Sequence, residues 1–135
     1  MSNEPLVING TAIEPGNRYT IDLPTGRLYT HTPLTVPVHV VSGRKPGPRL
    51  FISAAIHGDE INGVEIIRRL LKLTALKRLR GTIIAIPIVN VHGLINHSRY
   101  LPDRRDLNRS FPGTERGSLA ARLANTFMKE IVKKS

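Results

Sequence analysis

Residues 55–60 read Ala-Ile-His-Gly-Asp-Glu. His57 and Glu60 stand three positions apart, where an extended apolar run gives way to helical spacing. One imidazole and one carboxylate placed this way can converge on a single Zn²⁺. The strand end presents the histidine, and the first helical turn brings the glutamate back beside it. Gly58 lets the chain bend closely at that point. In α/β sheets the carboxyl ends of strands are where ligands usually bind. Zinc takes nitrogen and oxygen ligands at about 2.0–2.2 Å, and a catalytic site uses three protein ligands plus water. A third ligand is therefore required. As a bare pattern, His-x-x-Glu is more often a polar loop in which Asp59 caps the following helix.

A second group of residues lies at 98–113, Ser-Arg-Tyr-Leu-Pro-Asp-Arg-Arg-Asp-Leu-Asn-Arg-Ser-Phe-Pro-Gly. Arg99 and Arg109 can each grip an oxyanion or a carboxylate in fork geometry. Asn108 adds a neutral donor. Asp103 and Asp106 can pair with the arginines and hold them in place. Any one of these arginines taken alone is more often a solvated loop charge, and Arg104 and Arg105 are read that way.

Strands and helices must bring these residues together. Arg18 to Leu23 reads as a short strand between two turn signals, Pro15-Gly16 and Pro24-Thr25-Gly26. Val36 to Ser42 is β-branched and extended, and Pro37 makes it an edge strand or a strand start. The run 43–48, Gly-Arg-Lys-Pro-Gly-Pro, is a strong turn, and Arg49 to Ile56 is a further strand. The two flanking strands suggest an antiparallel hairpin. Ile61, Val64, Ile67, Leu70 and Leu71 then fall at helical spacing. Thr82 to Val89 is almost wholly apolar, as a strand covered on both faces is. Strand, helix and buried strand make a βαβ unit with parallel pairing. Residues 90–117 form a long polar loop. Ser118 caps a final helix in which Leu119, Leu123, Phe127 and Ile131 line one face.

Composition narrows the function classes. The chain has 135 residues, 40% of them hydrophobic and 22% charged, which is the balance of one globular domain. There is no cysteine, which excludes a disulfide scaffold, a thiol nucleophile and a Cys-ligated metal. No apolar run approaches the roughly 20 residues that cross a bilayer. The first ten residues lack the basic and apolar regions of a signal peptide, so a cytoplasmic address is expected and no membrane partner. Twenty Lys and Arg against ten Asp and Glu leave a net charge of +10, which attracts anions of any kind. The six aromatics do not alternate with the basic residues, so a nucleic-acid partner is not expected.

The 57–71 segment HGDEINGVEIIRRLL, followed about forty residues later by SRY and then DLNRSFPG, resembles the succinylglutamate desuccinylase/aspartoacylase family. That family belongs to the wider zinc carboxypeptidase-like group. The stretch PVHVVSGRKPGPRLFISAAIHGDE is similar to the family's entry strands, and the resemblance covers residues 36–113. It implies an α/β protein, a mixed sheet with flanking helices, and a zinc-dependent hydrolase of the amide bond of small, anionic N-acyl amino acids. By position, His57 and Glu60 match the first two zinc ligands. Arg99 matches the arginine that polarises the scissile carbonyl. Asn108 and Arg109 match the pair that holds a substrate carboxylate, and Asp106 matches an orienting acid.

The family's third zinc ligand is a histidine on a later strand, and its general base is a later glutamate. Neither has a match here. His31, His39, His92 and His97 read as surface, packing or loop residues, and Glu65, Glu115 and Glu130 match no catalytic base. The resemblance therefore implies a truncated form. On that resemblance residues 1–135 are expected to be the amino-terminal portion of one zinc-hydrolase domain, with 1–35 as peripheral strands and turns, and the chain by itself is expected to hydrolyse little. A cut sheet leaves an unpaired edge, through which a homo-oligomer is expected. The rival readings are a carboxypeptidase-like metallopeptidase, a basic binding module using Arg68, Arg69, Lys72, Arg78 and Arg80, and a non-catalytic oligomerising fragment.

Overall fold

The computed structural model describes residues 5–27, 33–57, 59–91, 99–101 and 104–135. A short hairpin, β1 (Val7–Ile8) and β2 (Thr11–Ala12), precedes a four-stranded mixed sheet. The sheet is built from β3 (Arg18–Arg27), β4 (Pro33–Ser42), β5 (Lys45–Ser53) and β6 (Arg80–Ile86), in the order β3-β4-β6-β5. β3 and β4 are antiparallel, β4 and β6 are antiparallel, and β5 runs parallel to β6. Helix α1 (Asn62–Leu71) makes the crossover from β5 to β6, and α2 (Leu119–Glu130) is followed by a 3₁₀ turn at Val132–Lys134. No helix among the described residues is long and apolar enough to cross a membrane.

The central position of β6 follows from its residues. Ile83 and Ala85 join a cluster with Ile67 of α1 and Val41 of β4. Ile84 and Ile86 join the larger cluster on the other face, with Leu123, Phe127 and Ile131 from the region of α2. Both faces of the strand are apolar, so it is buried only with a layer on each side and a strand on each edge. This overturns the expected hairpin between the strands at 36–42 and 49–56. β6 inserts between them, and β4 takes β3 as its antiparallel partner instead. Pro46 and Pro48 lack the N–H groups that a tight hairpin ladder from Ser42 needs. Among the described residues, Pro37 lies where β4 pairs with β3 alone, because β6 pairs with His39 to Ser42.

Helix α2 forms where the spacing places it. The Ser118 hydroxyl accepts from the Ala121 N–H at 3.1 Å, the N-cap bond that a helix start needs. Phe127 meets Phe51 and Phe111 edge-on, with ring centres 5.7 and 5.8 Å away. The N-terminal segment contributes Leu6, Ile8, Ile21 and Leu23 to the same core. It is tied to α2 by Glu130, whose Oε2 accepts from the Asn9 N–H and from Lys134 Nζ, both at 2.9 Å.

Burial raises the proton affinity of the Glu130 carboxyl, but the Asn9 N–H and the Lys134 ammonium outweigh it and hold the group below its ordinary 4.5. The stabilisation from Glu130 is therefore complete above pH 4.5 and is lost as pH falls through the lowered folded-state value. Glu130→Gln is expected to reduce the acid limb of stability, read as urea midpoints between pH 6 and 2.5. An unchanged acid limb contradicts this role.

At the start of α1, Ile61 holds the N-cap position with no side-chain cap, and Asp59 does not serve as the cap. What fixes the helix here is close approach. A Cβ on Gly63 would sit 2.6 Å from the Ala54 Cβ, which lies directly after β5. Alanine at 63 gains about 1 kcal/mol of helix propensity, whereas overpacking costs about 1–3 kcal/mol. Ala54 Cβ is bonded to backbone and has no rotamer to yield. Gly63→Ala is expected to lower the urea midpoint, and a higher midpoint would show that the contact relaxes freely.

Candidate functional site

The chain leaves β5 with an unusual backbone. Ala55 has a φ of 51°, the left-handed region that L-residues disfavour by about 1–2 kcal/mol. The strand end is held there by hydrogen bonds to the end of β6 and the residues after it. Ala54 N–H donates to the Ile86 carbonyl, Val89 N–H to that of Ala54, and Asn90 N–H to that of Ala55, each at 3.0 Å. Two residues on, His57 is 5% exposed. The turn closes with Glu60 N–H on the His57 carbonyl at 3.1 Å.

Both ring nitrogens of His57 face carboxylates. Nδ1 lies 2.8 Å from Glu60 Oε1, and Nε2 lies 2.9 Å from Asp106 Oδ1. Asp106 comes from the other end of the candidate constellation. It caps a 3₁₀ turn at Leu107–Arg109, with Oδ1 also accepting the Asn108 N–H at 2.9 Å. Leu107 is fully buried in the main core and anchors that turn. The Ser110 hydroxyl donates to the Asp106 carbonyl at 2.9 Å.

Arg99 approaches the same carboxylates, with Nε 3.5 Å from Asp106 Oδ2 and Nη1 3.9 Å from Glu60 Oε1. Its backbone is held by Asn90, a fully buried side chain whose Nδ2 donates to the Arg99 carbonyl at 3.4 Å. Buried Leu101 fixes the next turn, donating its N–H to the Arg105 carbonyl at 3.1 Å.

These contacts set the charge states. For His57, burial is the largest influence and lowers proton affinity, but the Glu60 and Asp106 carboxylates together raise it above the ordinary 6.5. For Asp106, burial pushes upward, but His57, the Asn108 N–H and Arg99 hold it below 3.8. The two carboxylates thus favour a proton on the ring, and the ring favours the ionised Asp106.

The structure brings His57, Glu60, Asp106 and Arg99 together. Asn108 and Arg109 lie on the turn that Asp106 caps, and both are exposed. Among the described residues the Arg109 guanidinium makes no ion pair or hydrogen bond. Gly58, Asp103, His31, His92 and His97 lie outside the described residues. His39 is on β4, with Nδ1 3.3 Å from the Thr20 hydroxyl. Glu65 is held by Arg68 and Arg69 on the outer face of α1, at Arg–Glu distances of 2.6 to 3.0 Å, and their hydrogen bonds pull its carboxyl down to about 2. Two of the cations in the proposed basic face are therefore engaged within the helix. Sequence reasoning missed Asn90, whose only signal is an amide directly after an apolar strand.

The donor atoms test the metal that the resemblance implies. Asp106 takes Nε2, the arrangement that fixes a metal-binding imidazole and raises its basicity. Nδ1 and Glu60 Oε1 then face each other as one nitrogen and one oxygen donor, a set that suits zinc. Among the described residues no group of three or more His, Cys, Asp or Glu side chains forms a metal site. The residues fit two of the three protein ligands that a catalytic zinc uses.

Residues 46–134 match the model of the succinylglutamate desuccinylase/aspartoacylase catalytic domain. N-alpha-acetyl-L-2,4-diaminobutyric acid deacetylase of Halomonas elongata is 33% identical over 98 residues, covering 72% of this chain and 28% of its own length. The crystal structure of an aspartoacylase family protein from Mesorhizobium loti superposes with a TM-score of 0.76 at 31% identity, covering 89% of this chain and 38% of that one. The product-bound ectoine utilization protein EutE (DoeB) from Ruegeria pomeroyi superposes at 0.79 with 26% identity, covering 99% and 42%. The chain thus spans well under half the length of these relatives. Its mixed sheet and flanking helices are those of the desuccinylase/aspartoacylase structures, and the chain belongs to the succinylglutamate desuccinylase/aspartoacylase catalytic-domain family.

Proposed function

We propose that this chain carries the zinc-binding edge and the anion-recognising arginines of a cytoplasmic deacylase, a hydrolase of the amide bond in small N-acyl amino acids. The observation that carries this reading is His57 set between Glu60 and Asp106 with Arg99 against both carboxylates. The likeness to a deacetylase of an acetylated diamino acid supports the substrate class.

His57 Nδ1 and Glu60 Oε1 would hold the metal. When bound, zinc supplies Lewis acidity toward a carbonyl and lowers the pKa of coordinated water toward 7. The rest is done by the chain's own side chains. Asp106 accepts a hydrogen bond from His57 Nε2–H and so favours, in the neutral ring, the tautomer whose lone pair is on Nδ1. Arg99 is 43% exposed and supplies a positive charge where oxygen gains negative charge in the transition state. Arg109, with Asn108 beside it, presents a guanidinium to the substrate carboxylate and orients the amide.

With two protein ligands, zinc binds weakly, and with no glutamate of this chain in the role of general base, water activation is poor. The 135-residue chain is therefore expected to bind zinc through His57 and Glu60 but to turn over little substrate. Incubation with zinc and N-alpha-acetyl-L-2,4-diaminobutyric acid, followed by amine detection, checks this. Brisk zinc-dependent release of the free amine would show that the missing ligand and base lie within residues 1–135.

A further inference from the structure

A cavity of about 510 Å³ opens at the end of the sheet opposite to His57. It lies where β5 and β6 begin, at the register pair Lys45 and Arg80, and where β4 ends. His57 follows the other end of β5. Along a strand that rises about 3.3 Å per residue, the two places are roughly 25 Å apart or more. The cavity is therefore no part of the site described above, and its size is that of a small-molecule site.

Its lining is cationic. Arg44, Lys45 and Arg49 border it, with Glu14 as the acidic residue. Arg44 and Lys45 make no ion pair or hydrogen bond among the described residues, and both are exposed. Arg49 is held at the wall by donating Nη1 to the Lys134 carbonyl at 3.2 Å. The Arg44 stem rests over the Pro15-Gly16 turn, where a Cβ on Gly16 would meet its Cγ at 3.2 Å. Leu6 and Ile13 supply apolar wall.

The floor is closely packed backbone. Gly43 N–H donates to the Gly81 carbonyl at 2.8 Å. A Cβ on Gly43 would lie 2.1 Å from the Leu79 carbonyl oxygen, and one on Gly81 2.2 Å from that of Pro48. The cations thus stand on closely packed backbone, with the exposed head groups of Arg44 and Lys45 open to a ligand. Three cations against one carboxylate leave an excess of two positive charges.

We propose that this cavity binds a small organic dianion, a dicarboxylate or a phosphate monoester, at a second site separate from the His57 centre. The anionic groups meet Arg44, Lys45 and Arg49, and the carbon skeleton lies against Leu6 and Ile13. A ligand here bridges the turns before β3 and β5 and the start of β6, so it stabilises the fold by preferential binding to the native state.

The test is titration of the ¹⁵N-labelled chain with malonate and, separately, with inorganic phosphate, at constant ionic strength. Saturable shifts of the Gly43, Arg44, Lys45, Gly47 and Gly81 amides are expected with at least one probe, with a rise in the thermal midpoint. The double variant Arg44→Ala/Lys45→Ala removes two exposed side chains and keeps the fold, and it is expected to bind at least tenfold more weakly. Saturation by malonate alone or by phosphate alone supports the proposal and tells the carboxylate source from the phosphate source. The proposal is overturned by shifts that stay linear in probe concentration, by shifts confined to residues 99–110, or by equal affinity in the double variant.

Discussion

Asp106→Asn is expected to weaken zinc binding to this chain by about 10- to 100-fold while leaving it folded, the range found when an outer partner of a metal-bound histidine is lost. Asp106 Oδ1 lies 2.9 Å from His57 Nε2 and 2.9 Å from the Asn108 N–H. Asparagine preserves the cap on the 3₁₀ turn but removes the negative charge that makes Nδ1 basic. His57→Ala removes the nitrogen donor itself and is expected to lose more than that range. Isothermal titration with zinc at fixed pH, beside circular dichroism of each variant, separates metal affinity from folding. Wild-type affinity in a folded Asp106→Asn chain would remove Asp106 from the site.

The second large effect is structural. Leu107→Ala is expected to cost about 2–5 kcal/mol of stability, the range for a fully buried leucine that leaves a cavity behind. Leu107 is wholly buried, and the residue before it, Asp106, holds His57 while the residue after it, Asn108, donates its N–H to Asp106. Against a total stability of about 5–15 kcal/mol for a domain, that loss threatens the native state. Truncating the exposed neighbour, Asn108→Ala, is expected to stay within about 0.5 kcal/mol. Urea unfolding of the two variants side by side measures the contrast. Equal midpoints would mean that the turn is not anchored through Leu107.

Sequence pattern revealed those elements whose cause is local. Ser118 and the apolar residues at 119, 123, 127 and 131 declare α2, because a cap and a four-residue period need no distant partner. The nearly apolar run at 82–89 declares a strand covered on both faces, which β6 is, though it ends at Ile86, three residues earlier. The βαβ unit follows from that strand and the helical spacing before it. Strand order was not legible. The turn signals at 43–48 suggest a hairpin, but residues 45–48 already belong to β5, and the pairing is decided by which strand most needs cover, a strand that comes about forty residues later.

The site divides in the same way. The three-residue spacing of His57 and Glu60 brings them together, but through a turn between β5 and α1, closed by the Glu60 N–H on the His57 carbonyl, and not through the strand end and first helical turn that the pattern suggested. The bond from His57 to Asp106 spans 49 residues, and nothing in the spacing reports it; only the family resemblance marks Asp106 as an orienting acid. Alanine gives no hint of the left-handed backbone at 55, since L-residues avoid it. Asn90 shows its role only when its burial and its bond to the Arg99 carbonyl are seen together.

The most direct measurement is a long-range ¹H–¹⁵N correlation spectrum of the histidine rings recorded while zinc is added to the uniformly labelled chain. Metal held as described shifts Nδ1 of His57 to the range of a coordinated nitrogen and leaves Nε2 protonated, hydrogen-bonded to Asp106, with His39 unmoved. Coordination through His57 Nε2, or a response at other histidines with His57 unchanged, would contradict a zinc held between His57 and Glu60.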